Sequence, residues 1–170
     1  MTARRTATLV VAGLMLVFGL FAGVQMLSSG ADTAAPAPTC TNRTVADGAN
    51  LTSNLVTVNL FNASSRSGLA NRVTINLQRR GFLGGSLGNS TSATKPRTVA
   101  ILTDDRNDPL VKLVAAQFAD KVTYAKPDLQ VEQGVIVVVG DDYSGLKKKA
   151  PTSIKATRAV TACVPIIQLP

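Results

Sequence analysis

Carboxylates and an amide crowd one turn of this chain, at Asp104, Asp105, Asn107 and Asp108. Oxygen atoms of this kind are the ligands of a hard cation such as Ca²⁺, but the spacing lacks the turn glycine and the bidentate glutamate of an EF-hand loop. A solvated turn that ends in the N-cap of a helix accounts for the same residues. We therefore expect no metal and no other cofactor at this turn.

A second group of carboxylates, Asp141 and Asp142, follows an apolar run and could serve as a general acid and base. A turn that ends a strand explains the same pair. The chain contains no histidine, which removes the commonest general base near neutral pH and excludes a Ser-His-Asp triad. The sequence predicts a protein that is not an enzyme, with catalysis through the aspartates, including Asp104, as the alternative.

The segment from Asn62 to Gly68 contains most of the candidate binding residues. A strand that passes through small polar residues into a helix N-terminus presents backbone N–H groups to an anionic or polar ligand. A plain helix cap with a tight turn is the alternative. The candidate ligand-binding residues are Asn62, Ser64, Ser65, Arg66 and Gly68, with Asn89 approaching from the next element.

Hydrophobic periodicity indicates the elements that would position this loop. Apolar residues alternate over residues 55–61, which predicts a half-buried strand. Apolar residues then recur every four positions over residues 67–80, which predicts an amphipathic helix. Ser65 or Ser67 is available as its N-cap, and Gly81 stands where a left-handed residue ends a helix.

The same pattern continues toward the C-terminus. We expect a weak strand over residues 82–89, a strand over 98–102, and a helix capped by Asp108 with Pro109 at its first position. Residues 135–139 are apolar on both faces, so this strand should be central and covered. The order strand, helix, strand, strand, helix, strand predicts an α+β two-layer sandwich: a four-stranded sheet with two helices on one face.

An uncharged apolar run precedes the domain, and we predict a transmembrane helix over residues 6–27. Arg4 and Arg5 lie on its N-terminal side, so the positive-inside rule leaves residues 1–5 in the cytoplasm and exports the rest. The predicted location is the plasma membrane, crossed once. A signal peptide cleaved before Asp32 is the alternative. Residues 28–54, polar and rich in Ala and Pro at their start, are expected to be an extracytoplasmic linker.

The formal net charge is +8, and the two cytoplasmic arginines leave 8 − 2 = +6 on the exported part. Nucleic acid is therefore excluded as a partner, while an anionic wall polymer or lipid surface suits the location. Solubility alone is the other explanation for the charge. The oligomeric state is left open by these features.

Cys40 and Cys163 lie outside the membrane on this interpretation, where a disulfide between them would persist. Two unpaired buried thiols are the alternative. Residues 143–170 are expected to form a basic tail around Lys147–Lys149, followed by an edge strand or clasp over residues 159–169 that the disulfide pins.

Several short motifs, in this order and spacing, resemble the LytR C-terminal domain: Val56 to Ser64, Ser67 to Ala70, the helix to Arg80, Gly81-Phe82, Gly88-Asn89, Thr98 to Ile101 and Val137 to Asp141. The resemblance covers residues 55–142. The family more often has an Asn-Gly turn where this chain has Asn62-Ala63.

The resemblance implies a role in the cell envelope. Domains of this family often follow a catalytic domain that attaches polymers to peptidoglycan, and the 170 residues here leave no room for one. The chain is similar to stand-alone, single-pass actinobacterial proteins linked to envelope integrity. We therefore expect a non-catalytic, membrane-anchored protein that binds an envelope protein or a wall glycan. A spacer without a specific ligand is a further alternative.

Overall fold

The computed structural model describes residues 40–165 and the isolated position Met15. Apart from Met15, the predicted cytoplasmic segment 1–5, transmembrane helix 6–27 and linker residues 28–39 lie outside the described residues, as do residues 166–170. Within the described part, no helix combines the length and apolar character needed to cross a membrane. This part contains nine strands and two α-helices, in chain order β1 Cys40–Val45, β2 Asn50–Thr52, β3 Thr57–Asn62, α1 Leu69–Gln78, β4 Leu83–Asn89, β5 Val99–Leu102, α2 Pro109–Ala115, β6 Val122–Ala125, β7 Val135–Val139, β8 Ser153–Lys155 and β9 Val160–Pro165.

The first strand-helix-strand unit consists of β3, α1 and β4, with the two strands parallel. Helix α1 begins after Gly68, whose φ of 69° is left-handed, and no side chain caps this end. The predicted serine cap is therefore wrong, because Ser65 donates its hydroxyl hydrogen to Asp141 instead. Gly81, with a φ of 88°, follows the helix as predicted.

The second unit repeats this arrangement with β5, α2 and β6, and its strands are again parallel. Asp108 Oδ1 accepts a hydrogen bond of 2.7 Å from the Leu110 N–H, and Pro109 is the first residue of α2, as predicted. No pattern in the sequence predicted β6. This strand has four residues and none of them is fully buried, so it lacks an apolar alternation.

The strands of both units join β7 in one sheet of order β4-β3-β7-β5-β6. β7 is buried at every position and lies in the middle, as its apolar sequence predicts. It runs parallel to β3 and antiparallel to β5. The α+β class is confirmed, but the sheet has five strands rather than the predicted four, because β6 extends it beyond β5.

Both helices pack on the same face of this sheet. Their buried residues, such as Leu77 and Leu113, form one cluster with Leu60 and Val137 of the sheet. The other face is covered by the segment that connects β6 to β7, where Leu129 and Val131 pack on Ile136 and Val138. The side chains of β7 are thus shared between two apolar clusters, which explains why this strand needs no polar residue.

Two antiparallel ribbons complete the domain. β1 pairs with β9, and β2 pairs with β8. A disulfide joins Cys40 of β1 to Cys163 of β9, with Cα atoms 5.5 Å apart, so β9 is the predicted clasp. β1 and β2 lie within residues 28–54, the segment expected to be a linker, and the sequence did not predict these two strands. Their pairing partners lie about a hundred residues away, and a local pattern does not reveal such partners.

Candidate functional site

The loop between β3 and α1 is closed by the side chain of Asn62, which is largely buried at the end of β3. Its Oδ1 accepts hydrogen bonds from the Ser64 N–H at 3.0 Å and from Ser64 Oγ at 2.7 Å. Its Nδ2 donates to the Arg66 carbonyl at 3.0 Å. Asn62 therefore uses its amide to fold the loop, in the manner of an Asx turn.

Asp141, from the turn after β7, binds the same loop. Its Oδ1 accepts hydrogen bonds from the Ser65 N–H at 2.8 Å and from Ser65 Oγ at 2.7 Å. The Ser65 hydroxyl, then the Ser65 N–H and the charge of Arg66, hold the pKa of Asp141 below its ordinary value. The neighbouring Asp142 forms an ion pair with Arg97, with Nη2 and Oδ2 2.8 Å apart. The two carboxylates thus have separate partners, Ser65 and Arg97.

Removing the Ser65 hydroxyl is expected to raise the pKa of Asp141 toward 3.8, the ordinary value for the group. Because the folded-state pKa is lowered, the stability that Asp141 contributes is present above about pH 4 and is lost as the pH falls through the folded value. A ¹³C NMR titration of the Asp141 carboxyl in Ser65→Ala measures the shift directly. Ser67→Ala, in the same loop, is the control and should leave the titration unchanged; an equal shift in both variants would contradict the assignment.

Two arginines clamp the segment that follows this turn. Arg66 Nη1 donates to the Tyr143 carbonyl at 3.0 Å, and Arg80 Nη2 donates to the Lys147 carbonyl at 2.6 Å. Arg80 Nη1 also donates to the side chain of the fully buried Gln117, at 3.0 Å. Since Arg66 precedes α1 and Arg80 follows it, residues 143–147 run alongside the helix.

Five of the six predicted ligand-binding residues lie at the end of β3 and in the loop that follows it: Asn62, Ser64, Ser65, Arg66 and Gly68. Asn89 is the register partner of Asn62 on β4, with an exposed side chain. Most polar groups of the loop bind each other or the turn at residues 141–143. This agrees with a tight turn, while the ligand-binding role stays a prediction.

The acidic turn at residues 104–108 is tied down by Arg158 from the C-terminal segment. The Arg158 guanidinium lies 2.6 Å from Asp105 Oδ2 and 2.7 Å from Asp108 Oδ2. The pKa of Asp105 is lowered, first by the Asn107 N–H and then by Arg158. Among the described residues, no group of three or more His, Cys, Asp or Glu side chains is arranged to hold a metal.

A polar groove lies on the face opposite the helices, and no motif in the sequence predicted it. It encloses about 440 Å³ and is lined by Thr57, Asn59, Gly84, Gly85, Ser86, Glu132 and Gln133. The buried Asn59 accepts a hydrogen bond from the Ser86 N–H at 2.8 Å and donates to the Gln133 carbonyl at 2.6 Å. The sequence feature that could have indicated this groove is an amide residue inside a strand, Asn59, together with the glycine pair Gly84-Gly85 in the next strand.

One irregularity of the sheet accounts for both the groove and the bonding of the Asn59 amide. The register of β3 with β4 shifts between Val58 and Leu60, which marks a β-bulge. The Asn59 amide binds the backbone at the bulge. A Cβ atom at Gly85 would overlap Asn59 Oδ1, so glycine is required there. The hydroxyl of Thr57, at the groove wall, is buried without a hydrogen-bond partner.

Comparison with known proteins finds a family model that matches the part of the chain containing the candidate loop. The family model described as LytR cell envelope-related transcriptional attenuator matches residues 55–143, just over half of the chain. The chain therefore belongs to this family. No curated protein matches it.

One solved structure is similar to the chain: the soluble domain of a conserved hypothetical secreted protein, an Rv2700 ortholog, from Mycobacterium marinum. The two share 20% identity with a TM-score of 0.44, over 62% of this chain and 70% of the other.

Proposed function

We propose that this protein is a non-catalytic domain, held outside the cytoplasm by an N-terminal membrane anchor, that supports the cell envelope by binding an envelope protein or a wall glycan. The observation that carries the proposal is a disulfide, Cys40–Cys163, that closes a domain of an envelope-related family. Disulfides persist in oxidising compartments and are rare in the cytosol. The apolar run over residues 6–27 would supply both the export signal and the anchor.

The geometry of the carboxylates favours binding over catalysis. A general acid near neutral pH needs a raised pKa, whereas the pKa of Asp141 and that of Asp105 are lowered. Ser65 and Arg158 engage these groups directly. The aspartates therefore stabilise turns, and the chemistry they offer is that of hydrogen-bond acceptors.

Two surfaces around the candidate site are available to a partner. The first is the predicted ligand-binding loop, whose exposed tip at Ser67 and neighbour Asn89 face solvent. The second is the polar groove beside β4, which is an edge strand. Strand edges present backbone N–H and C=O groups that an extended chain can pair with.

Site-specific photo-crosslinking in intact cells tests the proposal. A photoreactive phenylalanine analogue at Ser67 or at Ser86 probes the loop and the groove, since both positions are exposed. The matched control is the exposed Lys121, on the other half of the domain. We expect a discrete adduct from position 67 or 86 that is absent from position 121.

The identity of the adduct decides the class of partner. A protein adduct or a glycan adduct supports the proposal and selects between its two forms. Equal, diffuse labelling from all three positions would contradict specific binding and would favour a spacer.

A further inference from the structure

The charges of this protein are divided between two parts of the sequence. No aspartate or glutamate occurs in residues 48–103 or in residues 143–165, although these segments contain eleven lysines and arginines. The segment between them, residues 104–142, contains eight carboxylates and four basic residues. The β3-α1-β4 unit and the C-terminal segment are therefore uniformly basic.

The fold brings these two basic segments together at the end of α1. The hydrogen bond from Arg80 to the Lys147 carbonyl, at 2.6 Å, fixes the start of the lysine run beside the last turn of the helix. Gln117 holds the far side of the run, because its Nε2 donates to the Pro151 carbonyl at 2.7 Å. Arg72 and Arg79 lie seven residues apart and so share one exposed side of α1. The basic surface is thus made of Arg72, Arg79, Arg80, Lys147, Lys148 and Lys149.

The cations of the basic surface are not neutralised within the domain. In residues 40–165, ion pairs form only at Arg97 and Arg158. Arg80 binds an amide oxygen and a carbonyl, and Arg72 binds the Ser67 carbonyl; all three acceptors are uncharged. A cluster of unpaired cations produces a positive potential that attracts anions.

From this clustering we propose that the basic surface binds a flexible polyanion, a polymer with repeated phosphate or carboxylate groups. This inference rests on the proposed function and names the chemistry of the glycan-type partner. Helix α1 is about 15 Å long, so the surface offers a track for several charged repeats rather than a pocket for one ion.

A polymer suits this surface better than a membrane does. Stable interfacial binding of a helix to lipid combines charge with a large apolar face that enters the headgroup region, whereas basic residues alone each contribute a modest attraction near an anionic membrane. The exposed side of α1 offers one large apolar residue, Ile75, which is 40% exposed. Two other large apolar residues of the domain are exposed: Leu87, at 47% on β4, and Tyr124, on β6 at the opposite edge of the sheet. Attraction here is therefore electrostatic.

Binding of the full chain, purified in a non-ionic detergent, to fluorescent inorganic polyphosphate and to polyglutamate tests the proposal. The variant replaces Arg79, Lys148 and Lys149 with glutamine and keeps Arg80, which holds the structure. The control replaces Lys112, Lys121 and Lys126 with glutamine. It removes the same charge from residues 104–142, the segment that contains both acidic and basic residues. We expect the first variant to lose about tenfold or more in affinity at low salt, the control to lose less than about threefold, and the wild type to weaken steeply with added salt.

Several outcomes would overturn the proposal. Equal losses in both variants would show that net charge alone drives binding, and undetectable binding to both polyanions would remove the ligand class. Binding of wild type to vesicles with anionic phospholipid, without binding to either polymer, would assign the surface to the membrane. None of these results affects the photo-crosslinking test, so the proposed envelope function would fail or stand separately.

Discussion

Replacing Cys40 with serine is expected to lower the free energy of unfolding by about 4–5 kcal/mol and the melting temperature by roughly 15 °C. The disulfide joins residues 123 positions apart, so its loss restores much conformational freedom to the unfolded chain. It also removes the covalent link between β1 and β9, which leaves only their backbone pairing to hold the two strands together. Thermal and urea denaturation of the wild type and the variant, both in detergent, measure the difference.

The reducing agent provides the internal control. Wild type in dithiothreitol should have the same melting temperature as Cys40→Ser. Cys163→Ser should lose the same free energy of unfolding as Cys40→Ser. The double variant should lose no more than either single one, since all three lack one and the same bond. A melting temperature for Cys40→Ser within about 2 °C of wild type would contradict a stabilising role for the bridge.

Replacing Asn59 with alanine is expected to cost about 2–4 kcal/mol. The change leaves the Ser86 N–H and the Gln133 carbonyl without their partner. Asn59 itself is 2% exposed, and each hydrogen bond lost at a buried side chain costs about 1–3 kcal/mol. Denaturation by urea checks the value. Asn76→Ala, on the exposed side of α1, is the matched control and should change stability by less than about 0.5 kcal/mol.

A double-mutant cycle with Gly85 tests the geometry behind this prediction. Gly85→Ala should be strongly destabilising alone, because the new Cβ overlaps Asn59 Oδ1. In the Asn59→Ala background the same change should cost less, although Thr57 Cγ2 remains 2.9 Å away. Additive effects of the two substitutions would mean that Asn59 does not occupy the bulge.

Much of the fold is predictable from the sequence because its central elements bury regular apolar patterns. β7 is apolar throughout and lies in the middle of the sheet, and α1 buries its apolar stripe between left-handed glycines at both ends. Such signals are local. The Asp108 cap and Pro109 of α2 were predictable for the same reason.

The elements missed from the sequence depend on distant partners. β1 and β2 are polar and short, and they form strands because β9 and β8 supply their hydrogen bonds. β6 is half exposed at the sheet edge, so no alternation marks it. An alternating apolar pattern arises where a strand buries one face, and these strands bury little.

The candidate site was predictable in position but not in its bonding. The sequence predicted the loop from Asn62 to Gly68. Its partner Asp141 comes from the turn after β7, which only the order of strands in the sheet brings near. The hydrogen bond from Arg80 to the Lys147 carbonyl was likewise not predictable from the sequence. Long side chains that bind carbonyls across the fold leave no periodic trace in the sequence.

The most direct test of the whole account is the thiol state of the native protein. Cells are quenched in acid, and the protein is treated with a maleimide-linked polyethylene glycol before and after reduction. An exported domain closed by its disulfide predicts no added mass before reduction and two adducts after it, one each at Cys40 and Cys163. Two adducts on the unreduced protein would place the domain in a reducing compartment and contradict the account.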